Sequence, residues 1–256
     1  MEYGLIGGRL GHSWSQEIHD LLGLYSYSLQ PLPTEEEAHA FMQRHDFKAI
    51  NVTIPYKKLV IPYCAHVSEQ AKAIGAVNTV VNKDGVLYGY NTDYRGFEYL
   101  VRHNGISLQG KTVMLLGTGA THNTVTAVCR DLGAAEILTV SRRAGPGVMD
   151  YAEAASHSEV QILINTSPAG MYPNIGECLM DISGLDKLEA VLDVVYNPYR
   201  TELLLRAERR GIKAVCGLEM LVAQAVFAAE YFLDREIDKS EITRIHDLLL
   251  AQKLGG

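Results

Sequence analysis

Four short segments concentrate hydroxyl, amide and charged side chains beyond what turns require: Gly11-His12-Ser13-Trp14-Ser15, Asn51-Val52-Thr53-Ile54-Pro55-Tyr56-Lys57, Gly75-Ala76-Val77-Asn78-Thr79 and Gly89-Tyr90-Asn91-Thr92-Asp93. Hydroxyls and carboxamides suit a polyhydroxylated ligand, because each can donate to or accept from a ligand hydroxyl. Lys57 and Asp93 add proton chemistry. An ammonium paired with a carboxylate can pass a proton to or from an alcohol, once its desolvation competes with the attraction of the partner charge. Taken singly, these residues also have plainer roles: Ser13 as the cap of a helix starting near Trp14, Asn78 bonding its own turn, Asp93 as a helix N-cap, and Lys57 as a solvated cation.

A second kind of chemistry sits further along. The buried-strand pattern Lys111-Thr112-Val113-Met114-Leu115-Leu116 runs directly into Gly117-Thr118-Gly119-Ala120-Thr121-His122-Asn123-Thr124. Glycine at 117 permits a tight turn, and glycine at 119 lets a pyrophosphate approach the backbone where a following helix offers free N–H groups and its positive dipole end. The third glycine of the dinucleotide fingerprint is replaced by His122, so an ordinary strand-to-helix turn stays open on this evidence. About 20 residues on, where an NAD enzyme usually carries an acid, the next strand ends in Ser141-Arg142-Arg143. Arginine there suits a ribose 2′-phosphate and favours NADP over NAD; the plain alternative is a solvated basic turn.

The elements that must position these groups follow from short apolar runs alternating with helical patterns: Tyr3 to Ile6, Ala49 to Ile54, Ala76 to Val81, Thr112 to Leu116, Glu136 to Val140, Ile162 to Asn165, Ala190 to Val194 and Lys213 to Val215. The alternation predicts a parallel α/β architecture. In such sheets ligands bind beyond the carboxyl ends of strands, where the polar segments fall. Asp93 to Asn104 reads as a helix and Gly105 to Gly110 as a connector with glycine at both ends. The expected organisation is therefore a first α/β domain over 1–104, a Rossmann-like nucleotide domain over 105–217, and C-terminal helices over 218–256. The tail carries apolar spacing at Ile237, Ile242, Ile245 and Leu248 to Leu250, which does not say where it packs.

Composition excludes several classes of partner. The 256 residues, 47% of them hydrophobic, suffice for two domains. A net charge of -7, from 23 basic and 30 acidic residues, gives no field to draw in nucleic acid or an anionic membrane. Cys64, Cys129, Cys178 and Cys216 form no CxxC pair, which argues against a zinc site or a disulfide framework. The N-terminus lacks the basic-then-apolar pattern of a secretion signal, and the most apolar stretch, Leu218 to Leu233, is interrupted by Glu219, Gln224 and Glu230. These absences favour the cytoplasm; the composition does not reveal the oligomeric state, and the expected protein is a monomer or homodimer acting on a small molecule.

Read in order, HSWS (12–15), NVTIPYK (51–57), IGAVNTV (74–80), GYNTDYRGF (89–97), LLGTGAT (115–121), INTSPAGMYP (164–173), DVVYNPYRTELL (193–204) and GLEMLVAQA (217–225) resemble the motif series of the shikimate dehydrogenase family. The resemblance implies an NADP-dependent enzyme of aromatic amino-acid biosynthesis that reversibly reduces 3-dehydroshikimate to shikimate. It implies that Ser13, Ser15, Thr53, Asn78, Asp93 and Gln224 hold the substrate's hydroxyls and carboxylate, that Lys57 is the acid/base, and that Tyr196 reaches the substrate from the nucleotide domain. Gly117, Thr118, Gly119, Ala120 and Thr121 would cradle the pyrophosphate. Ser141, Arg142 and Arg143 would surround the adenosine phosphate, Val194 and Gly217 would border the nicotinamide, and the C-terminal helices would return to the first domain.

Some positions depart from the family pattern. Ala120, Thr121, His122 and Asn123 stand where a second loop glycine and then a small and a basic residue are usual, so a positive charge near the phosphates is missing; Ser141, Gln16 and Asp20 are also atypical. Two rival readings follow: a paralogue preferring quinate or a related cyclic acid with NAD, and a non-catalytic ligand-binding regulator on the same fold.

Overall fold

The computed structural model describes residues 1–11 and 14–254 of the chain. It divides into two compact units, Met1–Gly96 with Leu221–Asp247, and Phe97–Met220 with the chain from Leu248 onward.

The first unit holds a six-stranded sheet built from β1 (Tyr3–Gly7), β2 (Tyr27–Pro31), β3 (Ala49–Val52), β4 (His66–Val67), β5 (Thr79–Lys83) and β6 (Val86–Tyr90), in the order β2-β1-β3-β5-β6-β4. Side chains alternate between two buried faces, as the strand period dictates. Ile6, Ile50 and Val80 join a core with Phe41, Tyr56 and Leu87 on one face. Leu5, Ala49 and Val81 join Tyr27, Ala228 and Phe232 on the other. Helices α1 (Trp14–Leu22), α2 (Glu35–Arg44) and α3 (Glu69–Ile74) connect the strands. Thr34 and Glu37 form a reciprocal capping box at the start of α2.

The parallel expectation needs correcting in this sheet. β1 runs parallel to β2 and β3, but β5 is antiparallel to both β3 and β6. The Asp84-Gly85 link, with φ of 53° and 87°, sets β6 against β5. A two-residue connection of that hand makes a hairpin and is far too short for a parallel crossover. The expected strand at Ala76 to Val81 is also displaced to Thr79–Lys83. The amides of Val77 and Asn78 instead bond Lys57 O at 2.8 Å and Tyr90 O at 3.0 Å.

The second unit holds an all-parallel sheet of β7 (Thr112–Leu116), β8 (Glu136–Val140), β9 (Ile162–Asn165), β10 (Ala190–Asp193) and β11 (Lys213–Cys216), in the order β11-β10-β9-β7-β8. Every residue of β9 and β10 is buried, as expected for central parallel strands covered on both faces. The chain passes to one side of β7 for β8 and to the other for β9. That switch point is where doubly wound sheets open a crevice for ligands.

The remaining helices are α4 (Thr92–His103), α5 (Ala120–Asp131), α6 (Tyr151–Ala154) and α7 (Glu202–Arg209), with α8 (Leu218–Leu233) and α9 (Ser240–Leu249) following β11. The divisions between the units fall inside α4, α8 and the end of α9. In the first unit, Arg244 of α9 donates to Leu21 O at 2.9 Å, and Arg95 of α4 pairs with Glu230 of α8 at 3.0 Å. Among the described residues no helix is long and apolar enough to cross a membrane, and no group of His, Cys, Asp and Glu is arranged to hold a metal ion.

Candidate active site

Strand direction brings the polar segments of the first unit to one end of its sheet. Asn51, in β3, pairs with Thr79, at the start of antiparallel β5, and Thr79 pairs with Tyr90, at the end of β6. The residues just beyond, Thr53 to Lys57, Asn78 and Asn91 to Asp93, therefore emerge together. Lys57 Nζ lies 2.6 Å from Asp93 Oδ2, the two side chains being 23% and 21% exposed. This excludes the solvated-cation reading of Lys57.

The helix-cap reading of Asp93 is also displaced, because Asn91 takes that role. Asn91 Oδ1 accepts from Tyr94 N–H at 3.3 Å, and its Nδ2 donates to Ala76 O at 3.0 Å. Asp93 stands in the first turn of α4, where the helix dipole favours a negative charge. Its carboxylate is left for Lys57. The Lys57 segment is anchored by Tyr56, which is 1% exposed and donates its hydroxyl to Leu32 O.

Asn78 is buried beside this pair. Its Oδ1 accepts from Thr92 N–H at 2.7 Å and from Thr79 Oγ1 at 3.0 Å. Thr53 is half-buried, with its amide bonded to Ile6 O at 2.9 Å. Ser15 lies half-buried in the first turn of α1. Gln224 lies on α8, half-buried, donating Nε2 to Leu221 O at 2.9 Å. Ser13 falls outside the described residues. Sequence reasoning passed over Tyr27, and named Asn51, Thr79 and Thr92 only as parts of motifs, although all four surround Asn78; a buried Asn at a strand end next to Thr is the signal that would have found them.

In the second unit the glycine loop closes the crevice at the switch point. Gly117 has φ 101°, and a Cβ there would stand 3.0 Å from that of Ser167, so a side chain is excluded twice over. Gly119 is the N-cap of α5 and has no side-chain cap; a Cβ on it would meet nothing within 4 Å. The start of α5 thus has no side-chain cap and open space beside Gly119, which suits a phosphate at a helix N-terminus. A cavity of about 440 Å³ is lined by Gly117, Thr118, Gly119, Ser141, Arg142, Tyr151 and Ser167, among others. Ala120, Thr121 and Arg143 are not in its lining. Arg142 has no ion pair among the described residues. These residues fit a dinucleotide with an extra phosphate. His122 is held behind the loop, its Nε2 3.1 Å from Thr139 Oγ1, and burial lowers its pKa.

The remaining residues cluster at the ends of β9, β10 and β11. Gly217 N–H donates to Val195 O at 3.3 Å, and a Cβ on Gly217 would fall 2.3 Å from Val194 O; only glycine lets the two strand ends meet. Tyr196 is half-buried, which raises the pKa of its phenol. Beneath them lies a residue that motif reading left without a role, Asp193. It accepts from Asn165 Nδ2 at 2.9 Å, Val195 N–H at 3.0 Å and Thr201 Oγ1 at 2.7 Å. Burial pushes its carboxyl up to about 6, against the pull of those three hydrogen bonds. Asn165 in turn accepts from Ser167 N–H at 3.0 Å, which sets Ser167 against Gly117.

Known proteins share this arrangement. Residues 5–80 match the model of the shikimate dehydrogenase substrate binding domain. The chain is 37% identical to a Clostridium perfringens protein named shikimate dehydrogenase (NADP(+)), over 96% of this chain and 97% of that one. A Bacillus cereus protein of the same name is 32% identical over 99% of both chains. Among solved structures, a chorismate mutase/shikimate 5-dehydrogenase fusion protein from Clostridium acetobutylicum superposes with a TM-score of 0.89 at 34% identity, covering 99% of this chain and 98% of that one. Sequence and fold agree over essentially the full length of these proteins: the chain belongs to the shikimate dehydrogenase family.

Proposed function

We propose that this protein catalyses the reversible NADPH-dependent reduction of 3-dehydroshikimate to shikimate, with Lys57 as the proton donor. The observation that carries the reading is the Lys57–Asp93 pair, 2.6 Å apart and largely withdrawn from solvent, at a sheet end furnished with hydroxyl and amide groups. Relatives that carry the name shikimate dehydrogenase (NADP(+)) support the choice of substrate and cofactor.

NADPH bound at the Gly117 loop supplies the hydride to the ring ketone carbon. The chain's own residues handle the proton and the geometry. As the carbonyl carbon becomes tetrahedral, negative charge builds on its oxygen, and the Lys57 ammonium gives that oxygen one proton, leaving a neutral amine and a ring hydroxyl. In the oxidative direction the amine takes the hydroxyl proton back. Asp93 stays ionised, holding Nζ in place and orienting the same hydroxyl. Ser13, Ser15, Thr53, Asn78, Tyr196 and Gln224 bind the other hydroxyls and the carboxylate of the substrate.

The backbone of Gly117 to Thr121 would hold the pyrophosphate, Ser141, Arg142 and Arg143 would meet the 2′-phosphate, and Val194 and Gly217 would border the nicotinamide. Such a reaction between soluble metabolites suits a cytoplasmic enzyme. Its test is the loss of NADPH absorbance with 3-dehydroshikimate, run beside quinate oxidation with NADP and with NAD. Rapid turnover in the first assay and slow turnover in the others is expected. A preference for quinate with NAD would shift the assignment to the paralogue, and binding without any turnover would make the protein a regulator.

A further inference from the structure

Around Asn78 lies a set of buried side chains that the proton transfer does not use: Tyr27, 4% exposed, Asn51, 6%, and Thr79 and Thr92, both 0%. In isolation their directions are ambiguous, since carboxamide N and O look alike and hydroxyls both donate and accept. Two backbone groups remove the ambiguity. The carbonyl of Asn78 can only accept, and Asn51 Nδ2 lies 3.3 Å from it. The nitrogen of Asn51 therefore faces Asn78, and its oxygen accepts from Tyr27 Oη at 2.8 Å.

The same Nδ2 also donates to Thr79 Oγ1 at 3.1 Å. That leaves the single Thr79 hydroxyl proton for Asn78 Oδ1, 3.0 Å away. At the other end Thr92 N–H can only donate, and it reaches Asn78 Oδ1 at 2.7 Å. The Thr92 hydroxyl adds a further donor, 3.3 Å from Oδ1 and 3.2 Å from Thr79 Oγ1. The Thr92 N–H and the hydroxyls of Thr79 and Thr92 thus converge on Asn78 Oδ1. Asn78 Nδ2 has no hydrogen-bond partner among the described residues. Turning the carboxamide over would set its NH2 against a buried N–H and a buried hydroxyl, leaving donors facing a donor.

We propose that Thr79, oriented by Tyr27 and Asn51, is a positioning residue that locks the Asn78 carboxamide with its oxygen inward and its nitrogen toward the substrate. Asn78 then acts solely as a donor, and the site selects an oxygen lone pair there, from a ring hydroxyl or a carboxylate, over a cationic donor such as an ammonium. The inference rests on the reading of Asn78 as a substrate contact.

The test is a double-mutant cycle on the full chain with Thr79→Val, Asn78→Ala and the double variant, following KM and kcat for 3-dehydroshikimate, the NADPH Kd and Tm. Thr79→Val should raise KM about 5-fold, the effect of one hydrogen bond, with kcat and the NADPH Kd nearly unchanged. Thr79→Ser, which keeps the hydroxyl, should restore KM. On the Asn78→Ala background Thr79→Val should add almost nothing, because Thr79 acts through Asn78. Should Thr79→Val fold poorly, Tyr27→Phe takes its place in the cycle, with a smaller KM rise expected that also vanishes on the Asn78→Ala background. An unchanged KM in Asn78→Ala would overturn the substrate role of Asn78 itself. A raised KM in Asn78→Ala, with either no effect of the positioning variant or an effect that adds in full, would overturn the positioning role alone.

Discussion

The two sheet ends solve recognition in opposite ways. The first is built from side chains: Lys57 and Asp93 are paired with each other, and Asn78 and Asn91 are tied by hydrogen bonds to buried neighbours. The second is built from backbone: glycines at 117 and 119 clear a cavity beside uncapped helix N–H groups, with Ser141 and the exposed Arg142 at its rim. Backbone donors are indifferent to side-chain identity. This is why Ala120, Thr121, His122 and Asn123 can depart from the family pattern without disturbing the turn, whereas the first sheet end tolerates little change. Side chains in the second region act as braces from below or as charges at the rim.

The brace gives the largest expected effect in that region. Burial raises the Asp193 carboxyl to about 6, above its unfolded value, so the folded state holds its proton more tightly. Its contribution to stability is fully present below about pH 4 and is lost as pH rises through about 6, a change of roughly 3 kcal/mol for two pKa units. The stability difference between wild type and Asp193→Asn, measured by chemical denaturation from pH 4 to 7, should therefore shift against wild type as pH rises. A difference that stays flat would show that Asp193 is not held this way.

At the rim, Arg142→Ala should weaken NADP binding by about 1.5 to 3 kcal/mol, the size of a charge-assisted hydrogen bond, and leave NAD binding nearly unchanged. Equal losses with both cofactors, in a fluorescence titration, would show that Arg142 does not read the 2′-phosphate. The smallest effect concerns the missing charge. Asn123 is exposed in the first turns of α5, and Asn123→Arg should tighten NADP binding about 2- to 5-fold at low salt, fading as salt rises. A gain that persisted in high salt would point to a packing effect instead.

The difference between the regions also governs what the sequence discloses. In the second unit, β7 and β9 fall where their apolar runs predict, because strands buried on both faces write continuous apolar runs, and the part-buried edge strand β8 also falls at its predicted place. The glycine loop was legible for the same local reason. In the first unit, β2 and β6 left no such run, since β2 carries polar residues at an edge and β6 alternates Gly and Tyr. The antiparallel placing of β5 beside β3 and the hairpin at Asp84-Gly85 that turns the chain back into β6 went unread, and with them the mixed sheet. Motif order singled out Lys57 and Asp93, but not why they meet: that depends on Asn91 taking the helix cap, a local choice between neighbours, and on β3, β5 and β6 ending together, a long-range fact. Asp193 and Thr79 were silent because a buried polar residue at a strand end shows its role only through its partners.

The most direct test of the account is single-turnover and steady-state reduction of 3-dehydroshikimate by the Lys57→Ala variant, with substrate binding measured alongside. A fall in turnover of roughly 10²- to 10⁴-fold with binding largely kept is expected if Lys57 delivers the proton. Near-normal turnover in a folded Lys57→Ala protein would contradict the assignment.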